Sequence, residues 1–191
     1  MFSSCSKISG IHYGFSHFSP FWIKVFIDEF NITSIYDPCG GWGHRLLGAW
    51  DIDYYYNDID KRTYSGVKKI YEEHKEKNFH QKKFYCKDAA SFSLNETYDA
   101  VFTCPPYFDI ENYTHEETST KKYPKYEDWL NDWWGGVVRN CSPTKYFAFV
   151  INEEYKEDMV NVVVTNGYKV IGERALGKKR ATIIMTQIKK F

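Results

Sequence analysis

IYDPCGGWGHRLL, residues 35–47, changes character twice within a short span. β-rich residues from Ile32 to Tyr36 run into Asp37-Pro38, and a proline cannot continue a central sheet ladder. The glycine-rich turn CGGWG follows, and HRLLGAW then opens a helix. A strand, a tight glycine turn and a helix in that order form the first half of a crossover unit. The question for the rest of the chain is whether the alternation continues.

It does. Asp53 to Tyr56 reads as a second strand, and Tyr64, Val67, Ile70, Tyr71 and His74 recur at helical spacing within a helix over 61–77. Lys83 to Cys86 is a short third strand and Tyr98 to Thr103 a fourth. A helix is expected over 127–139, weakened at its far end by Gly135-Gly136. Tyr146 to Ile151 is a fifth strand, followed by a helix over 153–165 that Asn166-Gly167 stops. Strands alternating with helices predict a largely parallel sheet. The last two β-rich runs, Tyr168 to Arg174 and Ala181 to Ile188, are joined by the turn LGKKR. That link is too short for a crossover, so the final pair must be antiparallel.

The 191 residues suit one domain with a sizeable core, without repeats or an internal boundary. The balance of 25 acidic and 25 basic side chains argues against a generally basic coat and leaves room for a local basic patch. Five cysteines at 5, 39, 86, 104 and 141 contain no CxxC pair, and the six histidines lack metal-ligand spacing, so no metal is expected. MFSSCSKISG is not a basic segment followed by an apolar run, and nothing approaches the length of a membrane span. A cytoplasmic protein with no membrane partner is the expectation.

In an open α/β sheet, ligands bind beyond the carboxyl ends of the strands. The first such end is DPCGGWG, where Gly40, Gly41 and Gly43 permit a tight turn and close backbone approach. It matches neither GxGxxG nor GxxxxGK[ST], and the acid beside it disfavours phosphates and suits a cationic or amino-bearing ligand. The second strand ends in NDID, where Asp58 can accept from ribose hydroxyls and Ile59 can cover an adenine face. The third ends in CKDAASF, with Asp88 as an acceptor for an adenine amino group. Singly, each aspartate is more often a solvated cap. Together they point to an adenosine ligand with a cationic part. The fourth strand ends in VFTCPPYF, residues 101–108.

DPCGGWG resembles the DPFxGxG signature of class I S-adenosylmethionine-dependent methyltransferases, with Cys39 in the usual Phe position. TCPPY resembles the [DNS]PPY signature of the amino-methylating DNA methyltransferase branch, which acts on N6 of adenine or N4 of cytosine. The resemblance implies a Rossmann-like class I methyltransferase fold: a mostly parallel seven-stranded sheet with helices on both faces and a C-terminal antiparallel hairpin. It implies S-adenosyl-L-methionine as cofactor, with Asp37, Pro38, Cys39 and the three glycines around the methionine moiety, Asp58 at the ribose and Asp88 at the adenine. GFSHFSP, residues 14–20, is similar to the segment that closes the cofactor pocket in several such enzymes, which adds Phe18 and makes 1–30 a cofactor-closing segment. It also implies catalysis by Cys104, Pro105, Pro106 and Tyr107.

The chemistry gives that motif a physical reason. An exocyclic amino group is a poor nucleophile because its lone pair is conjugated with the ring. Two acceptors aimed at its hydrogens, the side chain before the prolines and the first proline's carbonyl, favour a more tetrahedral nitrogen. Tyr107, with Phe108 beside it, would stack on a base flipped out of its strand. Cys104 is the departure, since a thiol is a weaker acceptor than Asp, Asn or Ser. Its size is nearest that of Ser, which leans towards cytosine. In C5-cytosine methyltransferases the nucleophilic cysteine follows the prolines; here it precedes them, which disfavours covalent catalysis.

No segment is long enough for a separate target-recognition region. Recognition is expected from a substrate loop over 109–126, carrying Lys121, Lys122 and Lys125, and from Lys178-Lys179-Arg180 in the hairpin turn. Specificity then comes from a short site or from a partner protein. The expected substrate is nucleic acid, DNA ahead of RNA. The alternatives are an RNA adenine-N6 or protein glutamine methyltransferase, and a catalytically silent relative that only binds.

Overall fold

The computed structural model describes residues 18–77, 79–108, 119–176 and 181–189. Seven strands form one sheet: β1 (Ser34–Asp37), β2 (Asp53–Asn57), β3 (Lys82–Tyr85), β4 (Ala100–Thr103), β5 (Tyr146–Asn152), β6 (Tyr168–Ala175) and β7 (Ala181–Ile188). Their order across the sheet is β3-β2-β1-β4-β5-β7-β6. β1 to β5 pair in parallel, while β7 runs antiparallel to both β5 and β6. The expected parallel sheet with an antiparallel finish is therefore present, with β7 inserted between β5 and β6. Two strands start later than expected, β1 at Ser34 rather than Ile32 and β4 at Ala100 rather than Tyr98, and β3 spans Lys82–Tyr85 rather than Lys83 to Cys86.

Each face of the sheet carries its own core. On one side Tyr36, Val101, Phe147, Phe149 and Ile151 pack with Trp129, Trp133 and Trp134. On the other, Ile35, Tyr54, Phe102, Ala148 and Val150 pack with Ile23, Phe26 and Leu46. Strands buried on both faces explain why their sequences run apolar without clean alternation.

Three helices cover the second face: α1 (Pro20–Phe30), α2 (His44–Gly48) and α3 (Lys61–His74). Helices at the positions of α2 and α3 were expected from the sequence, whereas α1 was not, its residues having been read only as part of a cofactor-closing segment. The start of α1 is set by Ser19, whose side chain accepts from the Phe21 N–H, and by Pro20 in the first turn, where a missing N–H costs nothing. Asn31 ends it in the left-handed region at φ 50°.

On the first face a four-residue α4 (Ser119–Lys122) precedes one continuous helical run. That run comprises α5 (Tyr126–Asp128), a π-helical segment (Trp129–Trp134) and α6 (Gly135–Asn140). The i→i+5 bonding of the π segment brings positions i+4 and i+5 towards one side, and Trp129, Trp133 and Trp134 are all buried. Gly135-Gly136 does not weaken the run as expected. A Cβ on Gly136 would lie 2.7 Å from the Ala90 carbonyl oxygen, so the bare backbone lets the helix lie against the turn after β3. A single 3₁₀ turn (Glu153–Tyr155) leads from β5 into α7 (Lys156–Thr165), which stops at Asn166-Gly167 with Gly167 at φ 95°. No described helix is long and apolar enough to cross a membrane.

Candidate active site at the carboxyl ends of β1 and β4

β1 and β4 are neighbours, and the chain continues from them to opposite sides of the sheet. This is the switch point at which an open α/β sheet forms its ligand crevice. The glycine turn after β1 and CPPY after β4 leave adjacent strands here. Thr103 joins them directly, its Oγ1 donating to Asp37 Oδ1 at 2.9 Å.

Asp37 is fully buried and its carboxylate is saturated from within. Arg45 Nε donates to Oδ2 at 2.6 Å, Tyr54 OH donates to the same oxygen at 2.6 Å, and the Cys39 N–H lies 3.3 Å from Oδ1. Arg45, itself buried, also donates to the Cys39 carbonyl. Burial alone would lower the Arg45 guanidinium, and Asp37 overrides it, so the net direction is upward and the charge is held. The expectation that Asp37 meets a cationic ligand directly needs correction, because this carboxylate organises the turn instead. Neither Arg45 nor Tyr54 was anticipated. Both sit where apolar residues fill the local pattern, which gave no sign of an ion pair beneath it.

Phe18 precedes α1 and packs edge-on against Phe102 of β4, with ring centroids 5.9 Å apart. The Arg45 guanidinium lies 5.6 Å from the centre of the Phe18 ring. Of the segment expected to close the crevice, Phe18 packs near the carboxyl end of β4. Residues 14–17 of that segment lie outside the described residues.

The glycines divide by role. A Cβ on Gly40 would lie 2.1 Å from the Tyr56 ring, so this glycine is required by packing against β2. Gly43, at φ 83°, opens α2 against Val67. Gly41, at φ 56°, faces open space, where a Cβ would meet only Arg45 Nη2 at 3.9 Å. Its N–H donates to Asp58 Oδ2 at 2.8 Å, and the Asp60 N–H donates to Asp58 Oδ1 at 2.9 Å. Burial pushes the Asp58 carboxyl up to about 6 despite those two donors. Ile59 beside it is 40% exposed, an apolar surface presented to solvent at a strand end. Asn57, fully buried, ties three strand ends together by donating to the carbonyls of Pro38 at 2.9 Å and Lys87 at 3.1 Å. It was not anticipated, since a strand-terminal Asn next to Asp58 reads as ordinary turn chemistry.

Asp88 and Lys122, assigned to different ligands by the sequence, meet each other. Lys122 Nζ of α4 donates to Asp88 Oδ2 at 2.7 Å, and the Ala90 N–H donates to Asp88 Oδ1 at 3.0 Å. Lys121 and Lys125 are exposed on the same segment. Residues 109–118 of the expected loop, and Lys178, Lys179 and Arg180 of the hairpin turn, lie outside the described residues.

Past β4, Pro105 is buried while Cys104, Pro106, Tyr107 and Phe108 are half-buried. Cys39 is half-buried too, and burial followed by the Asp37 charge pushes its thiol upward. Tyr107 stacks on Tyr155 of the 3₁₀ turn, with centroids 6.4 Å apart and planes inclined by 27°. Phe108 is turned inward, 5.5 Å from Tyr126 and 5.9 Å from Trp129, so its ring serves the core rather than a substrate surface. The arrangement can hold a ligand over β1 and β2, present a second one over β4 and β5, and place backbone acceptors between them.

No family model and no curated protein matches the chain. Solved structures do resemble it. An S-adenosylmethionine-dependent methyltransferase from Clostridium acetobutylicum ATCC 824 superimposes with TM-score 0.64 at 11% identity, covering 90% of this chain and 91% of that one. A glycopeptide N-methyltransferase complexed with sinefungin gives 0.66 at 10% identity, covering 92% and 88%. The magnesium protoporphyrin IX methyltransferase from Synechocystis PCC 6803 with bound SAM gives 0.63 at 12% identity, covering 89% and 78%. At these identities the likeness is one of fold: the chain has the Rossmann-like class I methyltransferase fold.

Proposed function

We propose that this protein transfers a methyl group from S-adenosyl-L-methionine to an exocyclic amino group of a nucleic-acid base, N4 of cytosine or N6 of adenine, in DNA ahead of RNA. The observation that carries the reading is the position of CPPY on the strand next to the glycine turn, with Thr103 and Asp37 hydrogen-bonded across the switch point.

The residues fit the cofactor. Asp58 uses one bond on each carboxylate oxygen, leaving acceptor capacity for ribose hydroxyls. Ile59 offers an exposed apolar face beside it, and Gly41 leaves its turn open. Asp88 would receive the adenine amino group, and the backbone of the glycine turn, held by Arg45 and Asp37, would border the methionine part. When bound, S-adenosyl-L-methionine supplies a methyl on a sulfonium, an electrophile that needs no further activation.

The protein's own contribution is then orientation. The Pro105 carbonyl accepts one amino hydrogen and directs the nitrogen lone pair, while the prolines keep that carbonyl in place and offer no competing N–H. Tyr107, backed by Tyr155, provides the face on which the base rests. Positioning of this kind supplies up to roughly 7–11 kcal/mol in favourable systems.

The test is calorimetry with S-adenosyl-L-methionine, followed by labelled methyl transfer to DNA, RNA and protein with nucleoside mass analysis. N4-methylcytosine or N6-methyladenine is the expected product. Absence of cofactor binding, or transfer to carbon 5 of cytosine, would overturn the proposal.

A further inference from the structure

The weak point of that reading is Cys104, a poor acceptor in a place where chemistry asks for a good one. One side-chain oxygen among the described residues is suited to replace it. Asn152 Oδ1 is buried and has no hydrogen-bond partner. A buried acceptor left unpaired is unfavourable, and each native instance calls for a physical reason. The usual reason for Asn at this position is absent: Asn152 stands at the N-cap of the 3₁₀ turn, yet its side chain makes no capping bond.

Its location supplies one. Asn152 is the last residue of β5, which pairs with β4 in the register Phe102↔Ala148 and Thr103↔Phe149. Along β5, Phe147, Phe149 and Ile151 face one core, and Ala148 and Val150 face the other. Alternation puts Asn152 on the side of Ala148 and Val150, and its register partner Ala181 packs against that same core. Cys104 packs there too. Asn152 and Cys104 thus lie on one side of two adjacent strands at their carboxyl ends, with Asn152 further out, where a substrate above the sheet would sit. The turn that Asn152 opens also carries Tyr155, the ring beneath Tyr107.

Resting on the methyltransferase reading above, we infer that Asn152 Oδ1 is the second acceptor for the substrate amino group, paired with the Pro105 carbonyl and standing in for the side chain that Cys104 cannot supply. The two acceptors take one N–H each. The nitrogen lone pair forms the new bond to carbon as the carbon–sulfur bond breaks, and the surplus N–H proton departs to solvent. Cys104 then acts as a small spacer that leaves room for the amide.

The experiment compares wild type, Asn152→Ala and the volume-conserving Asn152→Leu by urea denaturation, S-adenosylhomocysteine affinity and labelled transfer to DNA. An acceptor already unpaired in the folded chain contributes no internal bond. Asn152→Leu is therefore expected to unfold at or above the wild-type midpoint, with unchanged cofactor affinity. Transfer should fall about ten- to hundredfold in both variants. Adding Cys104→Asn to Asn152→Ala should recover most of the lost rate by restoring an acceptor from β4. Marked destabilisation of Asn152→Leu would identify a structural role and overturn the inference, as would undiminished transfer in stable variants. If wild type itself methylates no nucleic-acid base, the underlying reading fails first, and that outcome is visible before any variant is compared.

Discussion

Arg45 Nε lies 2.6 Å from Asp37 Oδ2, and both side chains are buried beneath the glycine turn. A buried pair of this kind contributes little net stability as a whole, because desolvation offsets attraction, but removing one partner strands the other. Arg45→Met is therefore expected to cost about 3–5 kcal/mol by leaving Asp37 with only Tyr54, Thr103 and a backbone N–H. Asp37→Asn together with Arg45→Met should recover part of that loss. Urea denaturation followed by circular dichroism decides the matter: an unchanged midpoint in Arg45→Met would show that the pair does not organise this turn.

Gly40 and Gly41 are adjacent, and replacing each should produce a different defect. A Cβ at Gly40 would lie 2.1 Å from Tyr56, a clash with a ring whose hydroxyl is itself bonded to the Gly41 carbonyl at 2.8 Å. Gly40→Ala should destabilise the free protein by about 1–3 kcal/mol, as overpacking does. Gly41→Ala meets open space but retains a left-handed φ of 56°, a strain of roughly 1–2 kcal/mol for a residue with a Cβ. Thermal melts of the two variants should show loss in both. Cofactor calorimetry should show loss of affinity beyond that in Gly41→Ala, whose open side faces the proposed ligand.

The alternation of strands and helices, the antiparallel finish and the glycine turn between β1 and α2 were legible because apolar runs and glycine turns are local signals. α1 was legible in retrospect from Ser19-Pro20, a cap followed by a first-turn proline. Arg45, Tyr54 and Asn57 were not, since each acts through partners between six and thirty residues away in the chain. The same limit explains Asp88 and Lys122, two charges whose pairing depends on where α4 settles. It also explains Phe108, read as a substrate contact from its place beside Tyr107 but packed against Tyr126 and Trp129.

The pairing of Lys122 with Asp88 sets a basic residue of the expected nucleic-acid surface against the expected adenine acceptor. Lys122 is 55% exposed in its side chain, so the pair is worth little, about 0.2–1 kcal/mol. On the proposed reading, a ligand amino group at Asp88 would compete with it. Lys122→Ala should therefore tighten S-adenosylhomocysteine by up to about fivefold at low salt, an advantage that salt removes. The same variant should weaken DNA binding and reduce the slope of log affinity against log salt by about one. Calorimetry and fluorescence anisotropy across a salt series test the two halves separately; weaker cofactor binding in Lys122→Ala would contradict the competition.

Asp58 gives the site a pH dependence of defined sign. Burial raises its carboxyl to about 6, above the ordinary carboxylate range, so the acceptor becomes protonated in mildly acidic solution. Ribose hydroxyls donate to the ionised form, and ligand binding therefore favours deprotonation. Affinity for S-adenosylhomocysteine should be flat above about pH 7 and fall as pH drops through 6, approaching tenfold per unit. Asp58→Ala should bind about ten- to hundredfold more weakly at pH 7.5, with that acidic decline abolished. Calorimetry between pH 5 and 8 provides the check, and an acidic decline that persists in Asp58→Ala would assign the titration to another group.

Tyr107 tests the substrate half of the site independently of the cofactor half. Its ring stacks on Tyr155 at 6.4 Å, and Tyr155 packs in turn on Tyr126 at 5.7 Å and Trp129 at 6.4 Å. On the proposed reading this half-buried ring, backed by Tyr155, would carry the base. Stacking of a base on an aromatic side chain contributes about 1–3 kcal/mol, or roughly five- to 150-fold in affinity. Tyr107→Ala should lose that much in binding or transfer to DNA, while S-adenosylhomocysteine affinity stays within twofold of wild type. Tyr107→Phe should retain most of both, because the face matters and the hydroxyl does not. Equal transfer by Tyr107→Ala and wild type would exclude base stacking at this ring, whereas loss in Tyr107→Phe comparable to that in Tyr107→Ala would move the role from the ring to the hydroxyl.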